Sequence, residues 1–149
     1  MDALDLKILG CLKENARANA TEIGARINLS TSAVIERIRK METAGTIRQY
    51  TLVLDPVLVS RQAAFIFVRL EHPKFYEGFV TAVHAHGSIP ECYYIAGEFD
   101  FILKVVPNGE VTLERVLHDI KTIPGVSLTR TNVVLSENKR EICTLPPEE

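Results

Sequence analysis

Two segments with helical periodicity are separated by only three residues, Asn28-Leu29-Ser30. Asparagine tolerates the left-handed backbone conformation of a tight joint, Leu29 supplies an apolar plug, and Ser30 is a good N-cap for the helix that follows. Two helices joined in this way, the second of them cationic, form the arrangement of a helix-turn-helix unit. This joint therefore predicts the fold of the first third of the chain.

Apolar spacing predicts two helices before the joint. The first is expected from Asp2, which is a suitable N-cap, to Ala16. Asn19 and Glu22 form a capping-box pattern that opens the second helix, and this helix is expected to end at Ile27. Three short helices then make up the N-terminal unit. The inward positions of the first two are Leu4, Ile8, Leu9, Leu12, Ala16, Ile23 and Ile27.

The stretch from Ser30 to Tyr50 combines an apolar stripe with a cationic surface. The stripe consists of Val34, Ile38, Met41 and Gly45, where the glycine is expected to end the helix. Three cations on nearby turns have little use in a buried helix, whereas a helix in the DNA major groove uses them. The alternating segment Thr46–Leu54 is expected to be a strand, so the unit is predicted to be a winged helix-turn-helix.

Helical geometry divides the exposed positions of this recognition helix into two groups. Positions in its first turns are best placed to reach base edges, and the later cations are best placed to meet phosphates. The alternative is an ordinary solvated amphipathic helix, on which Glu36 and Lys40 form a surface pair. The predicted DNA-binding residues are Ser30, Thr31, Ser32, Ala33, Glu36, Arg37, Arg39, Lys40 and Arg48.

The elements after the polar, proline-containing segment 55–62 are predicted to follow the order β-α-β-β-α-β. This order is typical of a ferredoxin-like unit, with an antiparallel sheet and two helices on one face. Asn108 is expected to cap the second helix of this unit, and Ile142–Leu145 to add an edge strand. The expected elements are strand 63–71, helix 73–87, strand 89–96, strand 101–106, a helix after Asn108, and strand 126–135.

The strands carry apolar residues on both of their faces. Phe65, Phe67, Tyr93 and Ile95 cannot all lie inside together with their alternating neighbours. A sheet with two apolar faces needs a second covering layer, and another copy of the chain can supply it. We therefore expect a dimer that presents two recognition helices to a two-fold DNA site.

A polar turn, Gly97-Glu98-Phe99-Asp100, separates two apolar strands of this unit. Its two carboxylates suit an amino group, and the glycine N–H suits a carboxylate, so the turn fits a small zwitterion. Thr129, Arg130 and Thr131 add hydrogen-bonding groups on the last strand. The alternative is a simple hairpin connection with solvated acids.

Composition excludes several other classes of protein. No apolar run reaches the roughly 18–20 residues of a membrane span, and the acidic N-terminus is unlike a secretory signal. Three dispersed cysteines form no zinc pattern and suit reduced thiols in the cytoplasm. Residues 1–50 carry eight Lys and Arg against six Asp and Glu, whereas residues 51–149 carry nine against thirteen. The sign of this difference agrees with a DNA-binding head on a body with another task.

The motifs together closely resemble the Lrp/AsnC, or feast/famine, family of transcription regulators. In the first unit the likeness rests on LDLKIL, on Leu29-Ser30 and on ERIRKMETAGTIRQY. In the second it rests on ECYYIAGEFDFILKV and PGVSLTRTNVVL. The resemblance covers nearly the whole chain. It departs from many members at Asn28, where they have glycine, and at Leu128, where some relatives have a polar residue.

This resemblance implies an α+β chain: a winged helix-turn-helix (1–54), a hinge (55–62) and a ferredoxin-like domain (63–149) that senses a ligand and assembles. It implies double-stranded DNA and an amino acid or related metabolite as partners, and dimers that build up to octamers in the cytoplasm. It implies no enzymatic activity, cofactor, metal or membrane contact. The effector residues carried over, or placed beside the matching motifs, are Ala96, Gly97, Glu98, Asp100, Thr129 and Thr131.

Two alternatives stand beside this regulator hypothesis. Sirohaem decarboxylases resemble the same two-part fold and use basic and histidine residues around a porphyrin; the candidates here are His72, His84, His86 and His118. The other alternative is a metabolite-sensing co-regulator whose DNA-binding head is vestigial.

Overall fold

The computed structural model describes residues 1–53 and 62–146. Contacts within the chain divide it into two units. One consists of Met1–Val53 with Lys139–Glu149, and the other of Leu54–Asn138. The tail from Lys139 onward therefore belongs by contact to the first unit, where Lys13 and Glu141 form an ion pair at 3.6 Å.

The first unit is built from three helices, α1 (Ala3–Glu14), α2 (Ala20–Ile27) and α3 (Thr31–Thr43). Both predicted N-caps are present, since the side chains of Asp2 and Asn19 each accept a backbone N–H and complete a capping box. Satisfying these N–H groups fixes where the helices begin. The helices enclose one small core of Ile8, Cys11, Ile23, Val34 and Met41.

The joint between α2 and α3 has the predicted left-handed residue. Asn28 has φ 58° and ψ 47°, and the Ser30 side chain accepts the Ala33 N–H at 3.2 Å. Gly24 is required by this joint, because an added Cβ would lie 2.5 Å from the carbonyl oxygen of Leu29. The absence of a side chain at Gly24 therefore lets α2 pack closely against the turn that follows it.

The predicted wing strand is wrong for residues 46–53, the described part of Thr46–Leu54, which contain no strand. A strand needs a neighbour for its backbone hydrogen bonds, and no other strand occurs among the described residues of this unit. The expected edge strand at Ile142–Leu145 is also absent, for the same reason. The expected hinge, 55–62, lies outside the described residues except for Gln62.

The second unit has the predicted β-α-β-β-α-β order. The elements are β1 (Ala64–Leu70), α4 (Tyr76–His84), β2 (Glu91–Tyr94), β3 (Phe101–Val105), α5 (Leu113–Lys121) and β4 (Val126–Val133). A 3₁₀ turn, Pro73–Phe75, precedes α4. The strands pair antiparallel in the spatial order β2-β3-β1-β4, as expected for a ferredoxin-like sheet.

Helices α4 and α5 cover one face of this sheet. Their residues Phe79, Val83, Val116 and Ile120 form a core with alternate residues of β1 and β3. The other face carries the alternating set that includes Phe65 and Phe67, both half-buried, and Tyr93, which is 52% exposed. We call this second surface the open face. The predicted pair of apolar faces is therefore present.

The predicted N-cap of α5 is wrong. Thr112 caps this helix and accepts the Arg115 N–H at 3.2 Å. The Asn108 amide is used elsewhere, because it donates to the Gly87 carbonyl and its oxygen lies 3.3 Å from the Ser88 hydroxyl. Asn108 instead ties the loop after β3 to the loop after α4.

Candidate DNA-contacting helix and effector turn

The buried side of α3 follows the predicted stripe. Val34 is 0% and Met41 5% exposed, and Ile38 packs against them. The opposite side is open to solvent, so the predicted base-reading positions are accessible except for the half-buried Ala33. The exposed predicted positions are Ser30, Thr31, Ser32, Glu36, Arg39, Lys40 and Arg48.

Three hydroxyl groups at the start of α3 are already engaged. The Ser30 side chain caps the helix and lies 3.2 Å from the Ser32 hydroxyl, and the Thr31 hydroxyl donates to the Thr21 hydroxyl at 3.3 Å. The Thr31 bond orients the first turn against α2. Glu36 is the exposed polar side chain that follows one turn after Ser32.

Arg37 differs from the other cations of α3. Its Nη1 donates to Asp2 Oδ2 at 2.8 Å and to Asp5 Oδ1 at 2.7 Å. The carboxylates belong to the capping box of α1, so Arg37 ties the two helices together. Among the described residues, Arg39, Lys40 and Arg48 have no ion-pair partner, and all three are exposed.

The same contacts shift the ionisation of the acids. The pKa of Asp2 lies below 3.8, first because the Asp5 N–H donates to its carboxylate and then because of Arg37. The pKa of Asp5 is lowered chiefly by the Asp2 N–H, again with help from Arg37. In turn the two carboxylates raise the pKa of Arg37. All three groups are therefore charged at neutral pH.

The prediction from sequence missed Ile35. This apolar side chain on α3 is 54% exposed and lies one turn from Thr31 and from Arg39. Ile35 does not belong to the apolar i, i+3/i+4 stripe that faces the core. The sequence pattern alone therefore places this apolar side chain on the exposed side of the helix. An exposed aliphatic side chain on a reading helix can contact the methyl group of thymine.

The polar turn between β2 and β3 is held by its own backbone and by Asp100. The Asp100 carboxylate accepts the Leu70 N–H at 2.8 Å, and its own N–H donates to the Val68 carbonyl at 2.9 Å. Gly97 has φ 142°, a conformation that side chains disfavour. Ala96, Gly97 and Glu98 are exposed. Asp100 therefore has a structural task at the sheet end.

Glu98 joins this turn to β4. Its carboxylate accepts from Arg130 Nη2 at 3.3 and 3.4 Å. The Arg130 guanidinium also lies over the Phe99 ring, 4.8 Å from its centroid. Phe99 is 4% exposed, and its ring centroid lies 5.6 Å from that of Phe67 on the open face. The acid, the cation and the ring form one cluster at the end of the sheet.

The two predicted threonines point away from this cluster. In the β1–β4 register Thr129 is opposite Val68 and Thr131 is opposite Ile66, and directly paired residues share a face of the sheet. Val68 and Ile66 lie in the helix-covered core. Arg130 is opposite Phe67 and so belongs to the open face. One chain thus presents Glu98 and the threonines on different faces.

The four histidines have separate surroundings. His72 Nδ1 accepts the Lys74 N–H, and His86 contacts Asp119 at 3.5 Å while accepting the Ser88 N–H. His84 lines a surface groove of about 650 Å³ between α4 and β2, and His118 is exposed on α5.

Residues 1–53 and 62–146 contain no group of three acidic, histidine or cysteine residues arranged to hold a metal. Over the same ranges, no helix has the length and apolar character needed to cross a membrane. Cys11 is buried and Cys143 exposed, and burial raises the pKa of the Cys92 thiol.

Both units match known protein families. Residues 1–42 match the AsnC-type helix-turn-helix domain, and residues 63–142 match the Lrp/AsnC ligand binding domain. The leucine-responsive regulatory protein of Escherichia coli K12 is 34% identical over 144 residues, which cover 94% of this chain and 88% of that protein.

Solved structures agree with these matches. A transcriptional regulator of Neisseria meningitidis, determined as an L-methionine complex, superposes with a TM-score of 0.88 at 30% identity, covering 98% of this chain and 96% of the other. A feast or famine regulatory protein from M. tuberculosis, complexed with L-methionine, gives 0.87 at 26% identity, covering 97% and 99%.

These relatives are regulators, so the comparisons give the decarboxylase alternative no support. They confirm the resemblance found in the sequence and the α+β fold with an N-terminal helix-turn-helix. The chain belongs to the Lrp/AsnC family of DNA-binding transcriptional regulators.

Proposed function

We propose that this regulator reads DNA with α3 and changes its DNA binding or its assembly when an amino acid binds at the turn 96–100. The observation that supports the first part is the exposed, cationic face of α3 on a helix-turn-helix whose joint and caps are complete. The observation that supports the second is the polar cluster at the Gly97 turn. The relatives solved with L-methionine make an amino acid the natural ligand class.

On the DNA side, Ser32, Ala33, Glu36 and Ile35 would face base edges, together with Ser30 and Thr31 at the helix start. Arg39, Lys40 and Arg48 would meet phosphates. Phosphate contacts position a protein without reading sequence, and three cations per head are few. Discrimination would then depend on two heads at a fixed spacing and on DNA shape.

On the effector side, we retain Ala96, Gly97, Glu98, Asp100, Thr129 and Thr131 as the proposed site. Asp100 would act by holding the turn. Because Glu98 and the threonines lie on different faces of one sheet, a ligand that contacts both would be shared between copies. The proposed site therefore lies at an interface between copies of the chain.

The open face supports dimerisation. Phe65, Phe67 and Ile102 are only half-buried there, and Tyr93 and Leu128 are exposed, which a second sheet would cover. Further assembly to octamers is proposed from the family resemblance. The functional division proposed remains 1–54 for DNA, 55–62 as the connection and 63–149 for sensing and assembly, with action in the cytoplasm. The two divisions differ at the tail from Lys139, which contacts within the chain assign to the first unit.

Selection from a random DNA library tests the DNA part. The selected fragments should bind the full chain more tightly than random DNA at moderate salt, and log affinity should fall linearly with log salt. A chain that enriches no sequence would contradict sequence-specific binding and would favour the co-regulator with a vestigial head.

Thermal unfolding with each of the twenty amino acids tests the effector part. A ligand present at a hundred times its dissociation constant adds about 2.7 kcal/mol of stability. The same ligand should also change DNA affinity or oligomer size, because a ligand with equal affinity for both states shifts nothing. A panel without any stabilising amino acid would contradict this part alone.

A further inference from the structure

The segment that follows α3 carries Arg48 and is anchored to the first unit although residues 46–53 form no strand. Gly45 has φ 71°, a left-handed conformation that turns the chain back at the helix end. The N–H groups of Thr46 and Ile47 then both donate to the Met41 carbonyl, at 2.9 and 3.1 Å. The Ile47 side chain packs against the core of this unit, so the segment is fixed just before Arg48.

Tyr50 supplies a second anchor just after Arg48. Its hydroxyl donates to the carboxylate of Glu42, on the last turn of α3, at 3.0 Å. Burial raises the pKa of the Tyr50 phenol and the Glu42 carboxylate raises it further, so the hydroxyl keeps its proton at neutral pH. Two residues, Arg48 and Gln49, lie between Ile47 and this anchor, and both are exposed.

We propose that the hydrogen bond between Tyr50 and Glu42 positions Arg48 for its phosphate contact. Tyr50 and Glu42 are then positioning residues, and neither contacts DNA itself. The inference rests on the proposed phosphate contact of Arg48. It adds two residues to which neither the sequence prediction nor the family matches give a role in DNA binding.

Order in this segment before DNA binds favours the phosphate contact. A contact made from a free segment has to offset the conformational entropy lost by the backbone and by the arginine side chain. The anchors at Ile47 and Tyr50 order the backbone when the protein folds. Binding then restricts chiefly the side chain of Arg48, and this preorganisation increases affinity.

The Glu42 carboxylate acts here as a hydrogen-bond acceptor. Among the ion pairs of the described residues, none includes Glu42 or Arg48. Glu42 therefore holds Tyr50 without neutralising the cation that lies two residues before it.

Salt-dependent DNA binding by the full chain tests the inference with double-mutant cycles. The probe is a labelled duplex of mixed sequence, because phosphate contacts do not depend on sequence, and fluorescence anisotropy measures its affinity. Tyr50→Phe removes the hydroxyl and keeps the ring, and it is combined with Arg48→Gln. Arg39→Gln is the matched control, because Arg39 lies on α3 itself and not on the anchored segment.

The expected result is a loss confined to Arg48. In the wild type, Arg48→Gln lowers the slope of log affinity against log salt by about one and weakens binding roughly tenfold at about 0.1 M salt. In Tyr50→Phe the same substitution weakens binding by less than about threefold, since the two residues are coupled. The Arg39→Gln effect is the same in both backgrounds.

Variants of the acceptor give an independent check. Glu42→Gln keeps an oxygen that accepts from the hydroxyl, so the effect of Arg48→Gln is retained. Glu42→Ala removes the acceptor and reduces that effect as Tyr50→Phe does. Because each comparison is made within one background, the change of charge at Glu42 does not enter the result.

The failures are distinguishable. If the wild type does not bind the duplex, the proposed DNA binding itself fails. If Arg48→Gln has no effect, or has an equal effect with and without the Tyr50 hydroxyl, the positioning role is overturned while DNA binding by α3 stands. If Tyr50→Phe reduces the effect of Arg39→Gln as much as that of Arg48→Gln, the bond stabilises the unit as a whole, and the positioning role is again overturned.

Discussion

The guanidinium of Arg37 donates to the Asp5 carboxylate at 2.7 Å and so joins the middle of α3 to the first turn of α1. A cation that the sequence pattern assigns to phosphate is thus occupied within the protein. Because of this contact, Arg37 differs from Arg39, two residues away on the same helix. We therefore expect substitutions of the two residues to have opposite effects on stability and on DNA binding.

Arg39→Gln should weaken binding to all DNA sequences and reduce the slope of log affinity against log salt by about one, the effect of one lost phosphate contact. It should leave the thermal midpoint unchanged. Arg37→Gln should lower the midpoint and leave the salt slope almost unchanged. Salt-dependent fluorescence anisotropy and calorimetry measure the two quantities, and equal slope changes would show that Arg37 also meets phosphate.

Acid should destabilise the first unit through Asp2 and Asp5. Both have folded pKa values below the ordinary 3.8, so their stabilisation is complete above that pH and is lost as pH falls through the folded values. The free energy of unfolding should therefore decline below about pH 4. Asp5→Asn should flatten this decline when urea unfolding is measured between neutral and acid pH. If the free energy of unfolding declined equally steeply in Asp5→Asn, the decline would come from other acids, such as Glu14, which pairs with Arg26.

Two glycines of the first unit should respond oppositely to alanine. Gly24→Ala places a methyl 2.5 Å from the Leu29 carbonyl oxygen and should cost about 1–3 kcal/mol, as overpacking does. Gly10→Ala meets nothing within 4 Å in α1 and should stabilise by up to about 1 kcal/mol. Urea unfolding of both variants measures the difference. If both variants changed the free energy of unfolding equally, the turn between α2 and α3 would have to shift without cost to admit the added methyl group.

Asp100 should prove structural. Asp100→Ala removes the acceptor of the Leu70 N–H and should cost about 1–3 kcal/mol, whereas Asp100→Asn keeps an acceptor oxygen and should cost much less. Unfolding of the two variants in urea gives the comparison. A large loss in Asp100→Asn would show that the charge itself is needed.

Ile35 should recognise thymine methyl groups. Ile35→Ala should weaken binding to a selected site by roughly 1 kcal/mol, the scale of a buried methylene. Replacing the contacted thymines by uracil should weaken the wild type and leave the variant unaffected. If the variant and the wild type lose equally with uracil, another residue reads the methyl groups.

Local signals were sufficient to predict the helices of the first unit. The caps at Asp2 and Asn19 and the left-handed residue Asn28 are fixed by neighbours within a few positions, so a single sequence reveals them. The strand expected after Gly45 was wrong because strand formation depends on a partner that sequence does not locate. Thr112 caps α5 instead of Asn108 because Asn108 bonds to a loop 20 residues earlier.

The sequence predicted which types of residue form the candidate sites more fully than it predicted how they are arranged. It identified the carboxylates of the turn and the cations of α3 as charged candidates. Their partners were not, because Arg37 meets Asp2 over 35 positions and Arg130 meets Glu98 over 32. Only the folded chain shows which charges neutralise each other.

The alternation along β4 has an evolutionary consequence. Thr129 and Thr131 point to the helix side, while Leu128, Arg130 and Asn132 point to the open face, because successive side chains of a strand alternate. Substitutions can therefore alter one surface and leave the other intact. Evolution can vary one set of these residues at a time by substitution, whereas a one-residue insertion in this strand would exchange the two sets between the faces at once.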